Sequence, residues 1–441
     1  MIVDIDRDTL PAIRNPDLRA YAARYVDIYD RFMAQVRASG IEVDSHDYAA
    51  ELAERVERLR AHGARFRNDG KSVVANSLSP ACVACQQGIG SATFFISLQC
   101  HRSCFYCFNP NQEGYAHFSA QQRNLPEELA QLQASGQPVR HLALTGGEPL
   151  LHPAETVEFF RVARERFPQV HTRLYTTGDQ LTPTLARDLR DAGLDEIRFS
   201  LRLHDTDRAR QRTFSRIALA RPLIPSVMVE MPILPGTFAD MQTGLIELDR
   251  LGVDSINLLE LCYPFNQAAA FNQRGYQVKA HPYRVLYNYW YGGGLPVARS
   301  ELECLDLVIF ALESGLRMGV HYCSVENKHT GQIYQQNAEQ RLDPAYSFSE
   351  RDYFWKTAKV FGSDIRKARK ALRAARHAPP PPAGGQACLE IPLRELGALK
   401  GLDVEVGLSF NVMEARADGQ YLRELKLALV RPDSFDPETE A

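Results

Sequence analysis

Three cysteines stand close together in the chain, Cys100, Cys104 and Cys107. Three thiolates on one short loop can bind three irons of a 4Fe–4S cluster, which leaves the fourth iron without a protein ligand. A zinc site is the alternative, but zinc favours four ligands in paired spacing. The triplet directly follows an apolar segment and has Tyr106 beside its last cysteine. This arrangement favours the iron–sulfur cluster.

A glycine pair and an acid, Gly146, Gly147 and Glu148, end the second predicted strand. Glycines permit close backbone approach, and a carboxylate can accept hydrogen bonds from an ammonium group. Together with the triplet, this turn resembles the radical S-adenosylmethionine superfamily, and the resemblance extends over roughly residues 93–262. It implies that S-adenosylmethionine chelates the open iron through its amino and carboxylate groups, and that this turn receives the amino group.

The resemblance implies further cofactor contacts at other loop and strand ends. Tyr106 is the aromatic residue that the family carries before the third cysteine. Thr176 ends the third predicted strand, where hydroxyl groups line the cofactor site. Ser200 and Arg202 end the fourth, where a serine or arginine often meets the ribose or the carboxylate, with an exposed arginine at the barrel rim as the alternative. Glu230 lies before a Pro-x-x-Pro-Gly end of the fifth strand, which is also typical of a rigid turn.

The chemistry that the resemblance implies is reductive cleavage of S-adenosylmethionine to methionine and a 5′-deoxyadenosyl radical, which abstracts hydrogen from a small-molecule or peptide substrate. An external one-electron donor such as flavodoxin or ferredoxin is then required. One alternative is a transferase that moves part of S-adenosylmethionine onto the substrate. Another is a zinc-binding scaffold without turnover, against which the Gly-Gly-Glu turn counts. The residues do not identify the substrate.

A second cysteine pair, Cys82 and Cys85, lies upstream of the first predicted strand. Such a C-x2-C pair supplies half of a metal site, for zinc or for a second iron–sulfur cluster. Cys323 is a candidate for the other half, with His321 or Cys304 as the fourth ligand. A poorly characterised subgroup of the superfamily is similar in carrying such a pair before its triplet. The alternatives are buried, reduced thiols, or a pair at the opposite end of the barrel from the triplet.

Cys262 and Glu260 are candidates for catalysis at the end of the sixth predicted strand. Side chains there should face the cavity, and strand alternation places these two on one face. A thiol at this place could return a hydrogen atom to a substrate radical. The carboxylate could transfer a proton or bind a substrate amine. Packing against the next helix is the alternative.

Strands that alternate with helices must position these residues. The predicted strands are Thr93–Leu98, Val139–Leu144, Val170–Thr176, Glu196–Leu201, Val227–Ile233 and Ser255–Leu261. The helices between them include Pro153–Arg166, Thr182–Ala192, Thr206–Ala220 and Phe238–Leu251. This alternation indicates parallel βαβ units with right-handed crossovers. It predicts an α/β fold with a partial or full (β/α) barrel of the radical S-adenosylmethionine type, with chemistry at the strand ends.

Further segments are expected to flank the barrel. In chain order, we predict a helical N-terminal extension over 1–78, the barrel with its cluster loop over 79–330, a helical extension over 331–377, a linker over 378–387 and a small C-terminal β-hairpin region over 388–441. Four consecutive prolines are typical of a linker. An Asp-Gly pair between two extended runs predicts the hairpin.

Composition excludes several classes of protein. The 441 residues are 45% hydrophobic and 24% charged, which is typical of globular proteins. A net charge of −3 argues against nucleic acid or a membrane surface as the partner. Nine cysteines, five of them within 82–107, indicate metal binding in a reducing compartment rather than disulfides. With no signal-peptide pattern at the start, the expected location is the cytoplasm.

Overall fold

The computed structural model describes residues 2–287, 294–374 and 388–437. Within these ranges the chain divides into two compact units. The first unit contains residues 39–282 and 294–331, and the second contains residues 2–38, 283–287, 332–374 and 388–437. The predicted linker over 378–387 lies outside the described residues.

The strands of three or more residues are, in chain order, β1 (Ile2–Asp4), β2 (Arg65–Arg67), β3 (Ser72–Ala75), β4 (Ser91–Phe95), β5 (His141–Thr145), β6 (His171–Thr176), β7 (Glu196–Phe199), β8 (Ser226–Ile233), β9 (Ser255–Glu260), β10 (Gly319–Cys323), β11 (Trp355–Phe361), β12 (Cys388–Ile391), β13 (Val406–Arg416) and β14 (Gly419–Val430). The α-helices are α1 (Pro16–Ala38), α2 (Ala49–Ala61), α3 (Pro80–Cys85), α4 (Tyr115–Ala120), α5 (Leu125–Ala134), α6 (Pro153–Arg166), α7 (Pro183–Asp191), α8 (Asp207–Ala220), α9 (Phe238–Arg250), α10 (Ala268–Asn272), α11 (Ser300–Glu313), α12 (Thr330–Asn337) and α13 (Asp364–Ala374).

The first unit is built on a nine-stranded sheet in the order β2-β3-β10-β9-β8-β7-β6-β5-β4. The seven strands β4 to β10 are parallel, whereas β3 is antiparallel to β10 and β2 to β3. The strand order ends at β2 and at β4 and does not join them. The predicted α/β barrel is therefore confirmed in its partial form.

The face of this sheet that packs against the helices is apolar. Ile197 and Phe199 of β7 share one buried core with Ile256 and Leu258 of β9 and with Phe159 of α6. Removing side chains of this size from water contributes about 1.5–3 kcal/mol each. These positions are two residues apart along each strand, as alternation requires.

The opposite face of the sheet, which we call the inner face, carries polar side chains. Tyr175 on β6 lies beside Arg198 on β7, and Glu230 on β8 lies beside Asn257 on β9. Arg198 Nη1 donates to Glu230 Oε2 at 2.7 Å, which joins the two pairs. A parallel sheet covered by helices normally has apolar side chains on both faces. The polar inner face therefore marks the functional side of the unit.

Capping residues set the limits of the helices. α7 begins at Pro183, and the hydroxyl of Thr182 accepts a hydrogen bond from the backbone N–H of Leu185 at 3.1 Å. The turn after α7 contains Gly193 with a φ of +98°, a conformation that glycine adopts at little cost. α6 spans Pro153–Arg166, as predicted.

The second unit is an antiparallel sheet with α1 and α13. β1 pairs with β14, β14 with β13, and β11 with both β13 and β12. The hairpin predicted from Asp418 and Gly419 is formed by β13 and β14, with Arg416 opposite Gly419. Leu18 of α1 and Phe361 of β11 pack in the core of this unit. Among the described residues, each helix is too short or too polar to cross a membrane.

Two predicted boundaries are wrong. The N-terminal extension over 1–78 is not one helical segment, because residues 2–38 belong to the second unit and residues 39–78 supply α2, β2 and β3 to the first. The helical extension over 331–377 contains β11, which lies within the sheet of the second unit. Hydrophobic periodicity shows which face of a segment is apolar, but not which distant segment covers that face.

Candidate cofactor site and inner-face cluster

The cysteine triplet lies on the loop that follows β4. The backbone N–H of Arg102 donates to Cys100 Sγ at 3.4 Å, and the N–H of Cys107 donates to the carbonyl of Cys104 at 3.1 Å. Burial raises the pKa of the Cys104 thiol to about 11, Arg202 opposes that shift, and the Cys107 and Cys100 thiols add to it. The three thiols therefore lie within electrostatic range of one another.

These thiols do not converge on one point. Across 2–287, 294–374 and 388–437, no group of three or more His, Cys, Asp or Glu side chains is arranged to hold a metal ion. The ligands of a single zinc ion lie close together because each Zn–S bond is about 2.3 Å long. Cluster ligands bind different irons. The assignment of the triplet to a cluster rests on the loop and its surroundings and stays a prediction.

The glycine pair lets the turn after β5 lie directly against the loop that carries the triplet. Gly147 N–H donates to the carbonyl of Ser97 at 3.1 Å, and Glu148 N–H donates to that of Gln99 at 2.8 Å. A Cβ on Gly147 would lie 1.9 Å from the carbonyl oxygen of Gln99, and one on Gly146 would lie 2.4 Å from Cβ of Phe95. The glycines therefore permit the turn after β5 to approach the backbone at the start of the loop that carries the triplet.

Glu148 joins the ends of two strands. Its carboxylate accepts hydrogen bonds from the Thr176 hydroxyl at 2.5 Å, from the Thr177 N–H at 2.7 Å and from the Leu150 N–H at 3.1 Å. Only 1% of Glu148 is exposed. Its contacts with an ammonium group therefore stay a prediction, as do the cofactor contacts of Thr176 and of Ser200, whose N–H donates to the Thr176 carbonyl.

Arg202 carries a buried donor without a partner at this site. Its Nε donates to Asp205 at 3.0 Å and its Nη1 to the Ser200 carbonyl at 3.4 Å. Its Nη2 is sealed from solvent and has no hydrogen-bond partner in the described part of the chain. A buried guanidinium nitrogen of this kind fits a carboxylate ligand. Arg202 is 3% exposed, so the alternative of an exposed rim arginine is wrong.

Asp179 anchors the cluster loop to the segment after β6. His101 Nε2 lies 2.7 Å from its Oδ2, and Arg102 Nε donates to the same oxygen at 3.0 Å. Arg102 also lies 3.7 Å from Asp205. Because His101 and Arg102 follow Cys100 directly, their contacts with Asp179 hold the first ligand of the triplet in place.

Replacing Asp179 with asparagine is expected to weaken iron retention about 10-fold, because the loop loses its ionic anchor while side-chain size is kept. The measurement is the chelator concentration that removes half the iron from the reconstituted full chain. Asp188→Asn, an exposed position on α7, is the control. Equal chelator resistance in the wild type and Asp179→Asn would contradict the anchoring role.

Tyr106 is held by aromatic neighbours. Its ring makes edge contacts with Phe105 at 4.9 Å and His204 at 5.3 Å, and Phe105 in turn contacts Phe271 at 5.1 Å. The Arg274 guanidinium lies 4.2 Å from the centre of the Phe105 ring. These contacts fix the loop around the third cysteine, and direct contact of Tyr106 with a cofactor stays a prediction.

Glu230 does not lie at a strand end. It is in the middle of β8, where its Oε2 accepts hydrogen bonds from Arg198 at 2.7 Å and from Asn257 Nδ2 at 2.6 Å. The strand continues for three residues beyond Glu230 to Ile233, the predicted end, and contact of Glu230 with the cofactor stays a prediction. Its partners Arg198 and Asn257 also donate hydrogen bonds to Cys82 Sγ, and we call these four side chains the inner-face cluster.

The structure brings Cys82, Cys85 and Cys323 to the inner face. Cys82 Sγ accepts hydrogen bonds from Asn257 at 3.3 Å and Arg198 at 3.4 Å. Burial raises the pKa of the Cys323 thiol to about 12, and the Cys85 and Cys82 thiols add to that shift. The three predicted ligands of a second metal therefore act on one another electrostatically, but in the described residues they do not form a group arranged to hold a metal ion. Whether they hold a metal stays a prediction.

Neither predicted fourth ligand is placed to complete that site. Both ring nitrogens of His321 are engaged, Nδ1 with Asn257 and Nε2 with Ser72, each at 2.8 Å. Burial lowers the pKa of His321 to about 3. Cys304 is buried on α11, where its charged neighbours include Glu260. The assignment of Cys304 is wrong because α11 packs on the helix-covered face.

Glu260 is not a cavity carboxylate. It lies on the same face of β9 as Ile256 and Leu258, and its oxygens accept hydrogen bonds from Lys279 Nζ at 2.5 Å and Val325 N–H at 2.9 Å. Lys279 also binds Glu301. Its predicted role in proton transfer or amine binding is therefore wrong, because a structural ion pair occupies the carboxylate.

Cys262 is not part of β9, which ends at Glu260. It lies on a short strand, Cys262–Tyr263, that pairs with Leu295–Pro296. The Cys262 residue is 5% exposed. Burial raises the pKa of its thiol, and the Lys328 charge opposes that shift. Hydrogen return by Cys262 stays a prediction.

Asp179, Arg198 and Asn257 are site residues that the sequence patterns do not single out. Arg198 and Asn257 do carry a signal, because each is a polar residue between two apolar ones in a predicted strand. The signal for Asp179 is weaker, since it only follows a predicted strand end. The sequence does not show which residues on other segments they contact, and only the folded structure does.

Comparisons with known proteins identify the central part of the chain. Residues 95–241 match the family model described as the radical SAM superfamily. A protein of Methanocaldococcus jannaschii, provisionally named a glycyl-radical enzyme activating enzyme, is 27% identical over 222 residues, which cover 46% of this chain and 56% of the relative. A GTP 3′,8-cyclase of Chlorobaculum tepidum is 32% identical over 182 residues, covering 39% and 53% respectively. The chain thus matches little more than half the length of each of these two relatives.

A solved structure, Streptococcus suis SuiB bound to its precursor peptide SuiA, is 12% identical in sequence. It aligns over 55% of this chain and 53% of that chain with a TM-score of 0.33.

Proposed function

We propose, from the radical S-adenosylmethionine superfamily domain that residues 95–241 form, that this chain is an enzyme that cleaves S-adenosylmethionine reductively and abstracts hydrogen from a small-molecule or peptide substrate. When bound, a 4Fe–4S cluster supplies the electron that splits the cofactor into methionine and a 5′-deoxyadenosyl radical. The two curated relatives carry names of different reactions, so the likeness supports the shared radical initiation and leaves the substrate open.

The observation that carries the proposal is the unpartnered Nη2 of Arg202 beside three neighbouring thiols. In our proposal, Cys100, Cys104 and Cys107 hold the cluster, and Arg202 binds the carboxylate of the cofactor. Asp179 orients the loop through His101 and Arg102. In this proposal the polar inner face binds and orients the substrate.

The test is product analysis after anaerobic reconstitution of the full chain with iron and sulfide. Reduction in the presence of S-adenosylmethionine is expected to release 5′-deoxyadenosine and methionine in equal amounts. A transferase, the second candidate, would instead leave part of the cofactor on the substrate. A colourless protein that holds zinc and releases no 5′-deoxyadenosine would establish the scaffold and overturn the proposal.

A second metal site at Cys82, Cys85 and Cys323 belongs to this proposal, with zinc or a further iron–sulfur cluster as its occupant. The nearness of the three thiols supports it. We expect about eight irons per chain for two clusters, or about four irons and one zinc.

Joint replacement of Cys82 and Cys85 by serine is expected to remove the metal of this second site and leave the cluster of the triplet. Metal analysis of the reconstituted chain measures both. Cys388→Ala, in the second unit, is the control that leaves the content unchanged. About four irons and no zinc in the wild type would show that the three cysteines are reduced thiols without a metal.

Electron delivery requires a partner, and we propose flavodoxin or ferredoxin as the one-electron donor. An iron–sulfur cluster and free thiols require a reducing compartment, which supports a cytoplasmic location. Addition of reduced flavodoxin in place of a chemical reductant is expected to sustain 5′-deoxyadenosine formation.

A further inference from the structure

Arg173 is a buried cation whose Nε has no partner. It lies in the middle of β6, is 7% exposed, and its Nε is sealed from solvent with no hydrogen-bond partner in the described ranges. Its strand neighbour in register is Glu196. That carboxylate is already engaged, since Oε2 accepts from Ser79 at 2.7 Å and Oε1 from Arg198 at 2.5 Å. The nearest acid in the sheet therefore does not neutralise Arg173.

The Arg173 side chain belongs to the inner face. Its guanidinium carbon lies 5.9 Å from the centre of the Tyr175 ring, and Arg198 lies 5.3 Å from the same ring. Arg198 in turn donates to Cys82 Sγ at 3.4 Å. Arg173 thus lies in the region of the inner face that also holds Cys82 of the second group of cysteines.

Lys328 brings a second positive charge to this space. It lies on the turn Glu326–His329 that follows β10, and it is half-buried. Cys262, Cys323 and Glu230 are among the groups whose charges act on it. Asn327, beside Lys328 on this turn, donates from Nδ2 to Cys323 Sγ at 3.2 Å, so the turn that carries Lys328 lies against the second group of cysteines.

Arg198, on the same face, is a guanidinium whose hydrogen-bond donors have partners. It donates to Glu196 at 2.5 Å, to Glu230 at 2.7 Å and to Ser79 at 3.2 Å. Burying a charge without such partners costs free energy that a ligand-free fold does not recover. A charged residue kept at that cost fits a ligand of opposite charge.

We propose that Arg173, together with Lys328, binds an anionic group of the substrate, a carboxylate or a phosphate, on the inner face of the sheet. This inference rests on the proposed function, which places the substrate on that face. It adds the chemical class of the group that is recognised. A planar guanidinium can bind either anion through two parallel hydrogen bonds, and the Lys328 ammonium adds a point charge.

The first test is the melting temperature of the reconstituted full chain. Arg173→Met keeps most of the side-chain volume and removes the unpartnered charge, so we expect the melting temperature to stay equal or rise by about 2–4 °C. Arg198→Met is the matched control on the neighbouring strand, and its melting temperature should fall because it leaves Glu196 and Glu230 unpaired. A fall in Arg173→Met as large as in Arg198→Met would overturn the proposal by showing a structural partner.

The second test uses inorganic phosphate and acetate as probes, each compared with chloride at equal ionic strength. At least one probe should raise the melting temperature of the wild type, and the increment should disappear in Arg173→Met and shrink in Lys328→Met. An equal increment in the wild type and Arg173→Met would be a general salt effect and would overturn the proposal. No increment with either probe would also overturn it.

Metal analysis removes the remaining alternative, that Arg173 only balances the charge of metal-bound thiolates. We expect Arg173→Met to keep the metal content of the wild type. A loss equal to that of the Cys82 and Cys85 double variant would overturn substrate recognition. The proposed function is tested separately by 5′-deoxyadenosine release from the wild type, so the two proposals fail on different measurements.

Discussion

Replacement of Cys104 with alanine is expected to lower reductive cleavage of S-adenosylmethionine by about 100-fold or more. Cys104 is the middle ligand of the proposed cluster, and the pKa of its thiol is shifted by both of the other cysteines. Two thiolates cannot hold the cluster in the position that leaves one iron open to the cofactor. The measurement is 5′-deoxyadenosine per chain after anaerobic reduction, together with iron content.

The control separates loss of a ligand from loss of a thiol. Cys388 is 7% exposed and packs in the core of the second unit with Leu18 and Phe361. Cys388→Ala is expected to retain iron and cleavage, with only the small stability change of a shortened buried side chain. Full cleavage by Cys104→Ala would refute radical initiation at this loop, whatever the iron content.

Local patterns in the sequence predict most of the first unit. Alternating apolar residues and helix caps are short-range features, so β6 at His171–Thr176 and α6 at Pro153–Arg166 fall within a residue of their predicted limits. The turn at Gly146–Glu148 is predictable for the same reason. It lies directly after a strand, and its glycines are required because two backbone segments approach closely there.

Side-chain direction beyond a strand end is less predictable. Glu260 and Cys262 are two residues apart, which places them on one face only while the strand stays regular. In the structure β9 ends at Glu260 and Cys262 begins another short strand, and a lysine from a distant segment, Lys279, pairs with Glu260. Neither the end of the strand nor the partner has a local signal.

Long-range assembly accounts for the other differences. Strand β1 at Ile2–Asp4 pairs with β14 at the far end of the chain. The inner-face cluster likewise joins Cys82, Arg198 and Asn257 from segments more than fifty residues apart. Polarity inside an apolar strand indicates that such residues have partners, and only the folded sheet shows which partners they are.

Replacement of Gly147 with alanine is expected to destabilise the first unit and to cause the loss of iron from the loop that carries the triplet. The added Cβ would lie 1.9 Å from the carbonyl oxygen and 2.5 Å from the carbonyl carbon of Gln99. Both atoms are backbone, so the turn and the loop must separate, and the hydrogen bonds to Ser97 and Gln99 are lost. We expect about 3 kcal/mol of destabilisation, seen as a melting temperature about 6–12 °C lower.

Gly244 provides the control because it is a buried glycine that has room for a side chain. It lies within α9, and a Cβ there would meet no atom within 4 Å. Gly244→Ala is expected to keep iron and to raise stability by up to about 1 kcal/mol, since alanine is the better helix former. If Gly147→Ala had the same melting temperature as Gly244→Ala and kept its iron, the turn would not support the loop. Loss of iron in Gly147→Ala alone would instead show that the distance between two backbones sets the position of the triplet.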